Sequence, residues 1–344
     1  MELTGHMKNR CLWLVVFSLF GLFTACEERK EQPRSESRGG ENKVVKKEPL
    51  APAFNGDSAY MFIKDQVDFG PRVPNSSAHR KCGAYLIRQL KNYGWEVNTQ
   101  QFEATAFDGT RLDLTNIIGS YRPDLSKRIL LAAHWDTRPF ADQDTDRAKE
   151  PIDGANDGAS GVAALLEIAR VVNESDKKPA VGIDIIFFDG EDYGQPDFAK
   201  DLGRVQDSWC LGSQYWSKNK HLQGYSAFYG ILLDMVGAAN AKFAMEGTSM
   251  HFAPSVVNKV WQTARELGYG QYFVNVKTPA IIDDHTYVNE IAGLPMIDII
   301  EYNMSGEGYF GDYWHTHDDN IDVIDPATLK AVGQTVLEVL YNEK

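Results

Sequence analysis

Five short stretches hold most of the residues able to do chemistry. They are "HWD" (134–136), "GANDGASG" (154–161), "FFDGED" (187–192), Asp234 within "GILLDMV", and "WHTHDDN" (314–320). Taken singly, each has an ordinary explanation. An HxD pair is a weak signal, Asp157 suits a helix cap, and acids beside glycine are common in turns. Glu191 and Asp192 make the strongest demand. Two adjacent carboxylates at a strand end either both face water or share a positive charge. Imidazole and carboxylate together suit zinc, which leaves one position of its compact shell open for catalysis. In such a shell one acid of the pair binds the cation and its neighbour carries protons close by. The chemistry implied is zinc hydrolysis or zinc-assisted acyl transfer.

These residues need a scaffold that brings them together. From about residue 53 onward, strand-like and helix-like segments alternate. "RILLAAH", "GIDIIFF", "GILLDMV" and "LPMIDIIEY" are short apolar runs of the kind that fill a buried sheet. Between them, "HRKCGAYLIRQLKNYG", "GASGVAALLEIARVVN", "PSVVNKVWQTARELG" and "PATLKAVGQTVLEVL" have helical spacing, with glycine or proline at several ends. This order predicts one α/β domain, a mostly parallel sheet with helices on both faces. Sites in such sheets lie beyond the carboxyl ends of the strands, where all five stretches fall.

The formal net charge of −13 argues against a nucleic-acid partner, which calls for a basic footprint. Lys8 and Arg10 precede an apolar run of signal-peptide length that ends in Thr24 and Ala25 before Cys26. The pattern resembles a bacterial lipoprotein signal, which implies removal of residues 1–25, a lipid on Cys26 and export to a membrane face. Residues 27–52 are charged and almost free of apolar side chains, so they are expected to form a tether. Cys82 and Cys210 remain, and sequence separation does not decide whether they pair.

The ordered set of HxD, an Asp in a small-residue loop, an acid pair, an Asp after "LL" and "HT" near the C-terminus resembles the zinc-dependent aminopeptidase superfamily. "WHTHDDN" and "DDH" (283–285) make the chain more similar to the glutaminyl-peptide cyclotransferases within it, and the likeness runs from about residue 60 to the end. The resemblance implies a three-layer αβα sandwich with a mostly parallel mixed sheet and one zinc per chain. It implies Asp157, Asp192 and His315 as ligands, Glu191 as general acid/base, and Asp234 and Asp283 as a carboxylate network beside the reacting amine. Trp314, Phe310 and Ile282 would wall the substrate pocket. His134 and Asp136 match the HxD motif, which serves a second metal in two-zinc relatives. Animal cyclases carry Glu-Glu where this chain has Glu191-Asp192. The expected substrates are peptides with an N-terminal glutamine. A two-zinc aminopeptidase and a non-catalytic binding lipoprotein are the alternatives.

Overall fold

The computed structural model describes residues 48–305 and 308–344. The expected signal segment, Cys26 and the tether as far as residue 47 lie outside the described residues. Among the described residues, no helix is long and apolar enough to cross a membrane.

The chain opens with helices α1 (Gly56–Val67) and α2 (Ser77–Asn92), then strands β1 (Glu96–Thr105), β2 (Arg111–Tyr121) and β3 (Arg128–His134). Helix α3 (Ala159–Glu174), β4 (Gly182–Phe188), α4 (Leu211–Lys218) and β5 (Gly230–Asp234) follow. Next come β6 (Phe243–Met245), α5 (Gly247–Phe252), α6 (Pro254–Glu266), β7 (Phe273–Lys277) and α7 (Asp284–Glu290). Strand β8 (Met296–Ile300) and helix α8 (Pro326–Asn342) close the fold. The main sheet has the order β1-β2-β4-β3-β5-β8. Strands β4, β3, β5 and β8 run parallel, while β1 and β2 join antiparallel at one edge. The expected mostly parallel mixed sheet is therefore present.

Alternation along the buried strands explains the three layers. Ile129, Leu131, Ala133, Ile183, Ile185, Phe187, Ile231 and Leu233 point to one face, where they pack with residues of α1, α3, α6 and α8. Leu130, Ala132, Ile186, Phe188 and Leu232 point to the other, against Trp216 of α4 and Val288 of α7. Strands covered on both sides can be apolar at nearly every position. Asp184 of β4 and Asp298 of β8 are exceptions within the strands, and Arg128 meets Asp184 with two hydrogen bonds of 2.6 Å.

The folded unit reaches back beyond the expected start at residue 53. Buried Glu338 of α8 accepts the backbone N–H groups of Leu50 (3.1 Å) and Ala51 (2.9 Å). Gln334, one turn earlier, receives Phe54 N–H at 2.8 Å and donates to the Pro52 carbonyl at 3.1 Å. Contacts with α8 therefore extend at least as far as Leu50. Removing the Glu338 carboxylate should release this segment and destabilise the domain by about 1–3 kcal/mol, the range for orphaned buried donors. Denaturant titration of Glu338→Ala measures it, and a chain starting at Phe54 should lose a comparable amount. Two variants as stable as the parent would return the boundary to residue 53.

Candidate active site

The parallel strands deliver the acids to one edge. His134 is the last residue of β3, Asp234 the last of β5, and Glu191 and Asp192 follow β4 by one turn. Asp157 arrives two residues ahead of α3, and His315 on the loop after β8. Two three-residue groups result, each with donor atoms within 4.8 Å of one another: Asp157, Asp192 and His315, and His134, Asp157 and Asp234. His315 Nε2 lies 3.3 Å from Asp192 and 3.6 Å from Asp157. His134 Nε2 lies 3.0 Å from Asp157 and 3.2 Å from Asp234. Asp157 is common to both groups.

Two further aspartates hold the loops that carry these acids. Asp136 accepts the backbone N–H of Glu191 at 3.0 Å and of Asp192 at 3.2 Å, one on each carboxylate oxygen. Asp319 does the same for Asn156 (2.7 Å) and Asp157 (3.0 Å). Gly158 has φ +90°, and a Cβ there would meet the Asp136 carbonyl and the His134 ring, so the turn into α3 requires glycine. His315 itself sits at φ +56°. A non-glycine residue in that region is a strained placement that the surrounding contacts enforce.

The expected site residues all come together, with some differences in part. Trp314 stacks on the His315 ring at 3.7 Å, and Phe310 packs against Trp314 at 5.0 Å. Ile282 stands at the cavity mouth with 68% of its surface exposed, an entrance residue rather than an enclosed wall. Asp136 faces backbone amides, so it positions the acid pair instead of presenting its carboxylate to the cavity. Sequence reading did not assign Arg138, Asp142, Trp209 or Cys210 to the site. Arg138 donates to the Asp192 carbonyl at 2.9 Å and binds Asp142 at 2.6 Å, and Asp142 in turn lies 3.2 Å from His315 Nδ1. Trp209 stacks parallel to His315 at 5.9 Å with the Arg138 guanidinium over its ring. The Cys210 thiol donates to Glu191 at 3.1 Å. Arg138 directly follows "HWDT", but nothing in the spacing of Trp209 or Cys210 marks them. Cys82 and Cys210 are both buried and unpaired.

The electrostatics follow from burial and crowding. Burial pushes Glu191 well above the usual carboxylate range, and the neighbouring charges of Asp283 and Asp192 add to it. Asp192 is raised to about 6, first by burial and then by Asp157. Asp234 is raised to about 7 by burial, against the opposing His134. For Asp157, burial is outweighed by the hydrogen bond and charge of His134, which leave it below the ordinary value. Burial lowers His134, but hydrogen bonds to Asp136, Asp157 and Asp234 overcome this and raise it well above its usual value.

The donor set fits zinc. Both oxygens of Asp192 are buried and have no hydrogen-bond partner, an expensive arrangement for a carboxylate unless a cation faces it. Two carboxylates and an imidazole match the three-ligand shell of a catalytic zinc with an open position. A cavity of about 280 Å³ opens on these groups, lined by Asp157, Glu191, Asp192, Asp234, Asp283 and His315 together with the aromatic and aliphatic residues above.

Fold and site together define a zinc-exopeptidase-like α/β protein. The sequence profile of peptidase family M28 matches residues 116–340, and the chain belongs to that family. Among solved structures, it is similar to the Bacteroides thetaiotaomicron glutaminyl cyclase bound to N-acetylhistamine. That likeness has 55% identity and a TM-score of 0.82, and covers 86% of this chain and 100% of the other. A leucine aminopeptidase precursor from Bacteroides thetaiotaomicron VPI-5482 is similar at 54% identity and TM-score 0.82, with 86% and 100% covered. The glutaminyl-peptide cyclotransferase of Bos taurus is 28% identical over 303 residues, 79% of this chain and 78% of that one.

The raised acids set a pH dependence. A carboxyl group raised by folding contributes stability fully below its unfolded value, about 3.9 for Asp, and loses it as pH rises through the folded value. For Asp192, Asp234 and Asp319 that loss extends up to about 6, 7 and 7 respectively. The raised His134 and His315 act in the same direction at higher pH. Metal-stripped protein should therefore melt at a higher temperature at about pH 5 than at about pH 8. Zinc-loaded protein should show the opposite trend, because protons compete for the ligands. Thermal melts with and without a chelator check both, and parallel trends would contradict the assignment.

Proposed function

We infer that this protein is a zinc-dependent glutaminyl-peptide cyclotransferase, converting an N-terminal glutamine to pyroglutamate with release of ammonia. The observation that carries the reading is the pairing of unlike neighbours at 191–192. Asp192 is buried with two unpartnered oxygens, while Glu191 is partly open to the cavity, buried enough to hold a proton and close enough to move one. Asp157, Asp192 and His315 are the ligands of one zinc. Held by those three residues, zinc would supply a Lewis acid for the γ-carbonyl of the substrate glutamine.

The chain's own residues do the rest. Glu191 takes a proton from the substrate α-amine, and the amine nitrogen forms a bond to the γ-carbon. The bond from that carbon to the amide nitrogen then breaks, and Glu191 returns the proton to the departing ammonia. Asp234 and Asp283 lie around the reacting amine and favour its orientation toward Glu191. Trp314, Phe310 and Ile281 provide apolar surface that folds the side chain back on its own amine, which makes the step unimolecular.

The two-metal aminopeptidase reading draws on His134, Asp157 and Asp234, which could gather around a second ion. Against it, His134 and Asp234 already hydrogen-bond at 3.2 Å, whereas neither Asp192 oxygen has a hydrogen bond and its nearest cationic groups are His315 at 3.3 Å and Arg138 at 3.6 Å. One zinc held by Asp157, Asp192 and His315 therefore accounts for the two bare oxygens of Asp192.

Mass spectrometry of a Gln-initiated peptide separates the readings: loss of ammonia marks the cyclase, loss of the whole first residue the aminopeptidase. Glu191→Gln should keep its zinc while turnover falls by roughly two to four orders of magnitude. Asp192→Ala should instead lose zinc, measured by elemental analysis. Zinc loss in the first variant with full occupancy in the second would reverse the two roles.

We further propose that the chain is exported and held to a bacterial membrane by lipid on Cys26. The basic residues, apolar run and small residues before that cysteine support it. Cys26→Ala should move the protein from the detergent phase to the aqueous phase on partitioning. Unchanged partitioning would remove the lipid anchor from the proposal.

A further inference from the structure

Beside the catalytic cavity lies a larger groove of about 710 Å³, walled by residues 195–209 on one side and by Ile282 and Tyr287 on the other. Arg204, Trp209 and Ile282 line both the groove and the cavity, so the two spaces adjoin at these residues. Only the first residue of a substrate reacts. The rest of the peptide must leave through the cavity mouth, and that mouth adjoins this groove.

The groove wall is a braced loop. Gln195 donates to the carbonyls of Ala199 (3.0 Å) and Gly203 (2.8 Å), and its side-chain oxygen accepts the N–H of Val205 at 2.9 Å. One side chain therefore ties down both neighbours of Arg204. Gln214 fixes the far end by donating to the carbonyls of Asp207 (2.9 Å) and Trp209 (2.8 Å). Within the groove, Lys200 is paired with Asp197 at 2.8 Å, and Asp207 accepts the Tyr287 hydroxyl at 3.2 Å. Arg204 alone stays uncommitted. Among the described residues no carboxylate stands within ion-pair distance of its guanidinium, although the adjoining cavity holds five.

We propose that this groove binds the peptide segment following the N-terminal glutamine, and that Arg204 selects for an acidic side chain at the second or third position. The proposal rests on the cyclase reading. An exposed guanidinium offers a fork suited to carboxylate. Each exposed charge pair is worth only about 0.2–1 kcal/mol, so the effect is a preference and not an absolute requirement.

The test compares kcat/KM, by ammonia release, for Gln-Glu-, Gln-Ala- and Gln-Lys-initiated peptides in the wild type and in Arg204→Glu. The wild-type Glu-to-Lys ratio should exceed the variant's by about ten-fold, since reversal replaces an attraction by a repulsion for one peptide and the converse for the other. The difference should shrink at about 0.5 M salt. Because each ratio is taken within one protein, the folded fraction cancels. A ratio unchanged within two-fold overturns the proposal while leaving the cyclase reading intact. No ammonia from any peptide with wild type overturns both.

Discussion

Asp157, Glu191, Asp192, Asp234 and Asp283 all face one cavity of about 280 Å³, and their mutual repulsion is the constraint to which the surrounding structure answers. Two like charges 4 Å apart repel by about 4 kcal/mol at the effective dielectric of a protein interior. Five cannot be ionised together without a counter-charge. The molecule meets this in three ways. His134 stands between Asp157 and Asp234, Arg138 supports Asp192 from behind, and burial raises the proton affinity of Glu191 and Asp234. What remains is the group formed by Asp157, Asp192 and His315. A dication there offsets the residual repulsion and turns a destabilising cluster into a binding site.

Repulsion would also push the acid-bearing loops apart, and the scaffold resists this through backbone rather than side-chain contacts. Asp136 and Asp319 each use both carboxylate oxygens on two consecutive amides, clasping 191–192 and 156–157 respectively. The clasped acids Asp157, Glu191 and Asp192 keep their own carboxylates for other work. The two holding aspartates come from different segments, one following β3 and one within the loop before α8. Behind them the parallel strands are buried on both faces, so a shift at one strand end is opposed by packing along its whole length. Asp319 stays raised to about 7 by burial, with Asp157 close by, so its clasp is itself part of the crowded field.

Much of this was legible in the chain. Apolar runs such as "GIDIIFF" are dictated by burial on both faces, and glycine and proline mark several helix ends. The site acids stand out because each follows such a run. Other parts were silent for identifiable reasons. Strand β1, "EVNTQQFEAT", is an edge strand with only Phe102 fully buried, so it lacks both alternation and an apolar run. Short α5 and α7 draw their stability from side-chain caps, Glu246 and Asp283, whose capping role nothing in the sequence marks. Trp209 and Cys210 approach the site from a loop between β4 and α4, and only tertiary contact shows their relevance. Leu50 and Ala51 looked like tether because their partner, Glu338, lies 287 positions from Ala51.

The aromatic residues explain how one set of acids can favour ring closure over hydrolysis under the proposed function. Hydrolysis needs a water held between base and carbonyl. Cyclisation needs that volume filled by the substrate's own amine. Trp314 lies against His315 at 3.7 Å, and Phe310, Met235, Ile281 and Ile300 extend the same apolar surface. A folded glutamine side chain gains from this surface, whereas a water lying against it forgoes hydrogen bonds. Glu191, raised by burial and receiving only the weak Cys210 thiol, keeps one oxygen's worth of proton-carrying capacity at the edge of that surface. The distinction between the two chemistries thus rests less on the metal ligands, which suit either, than on which nucleophile the walls admit beside Glu191.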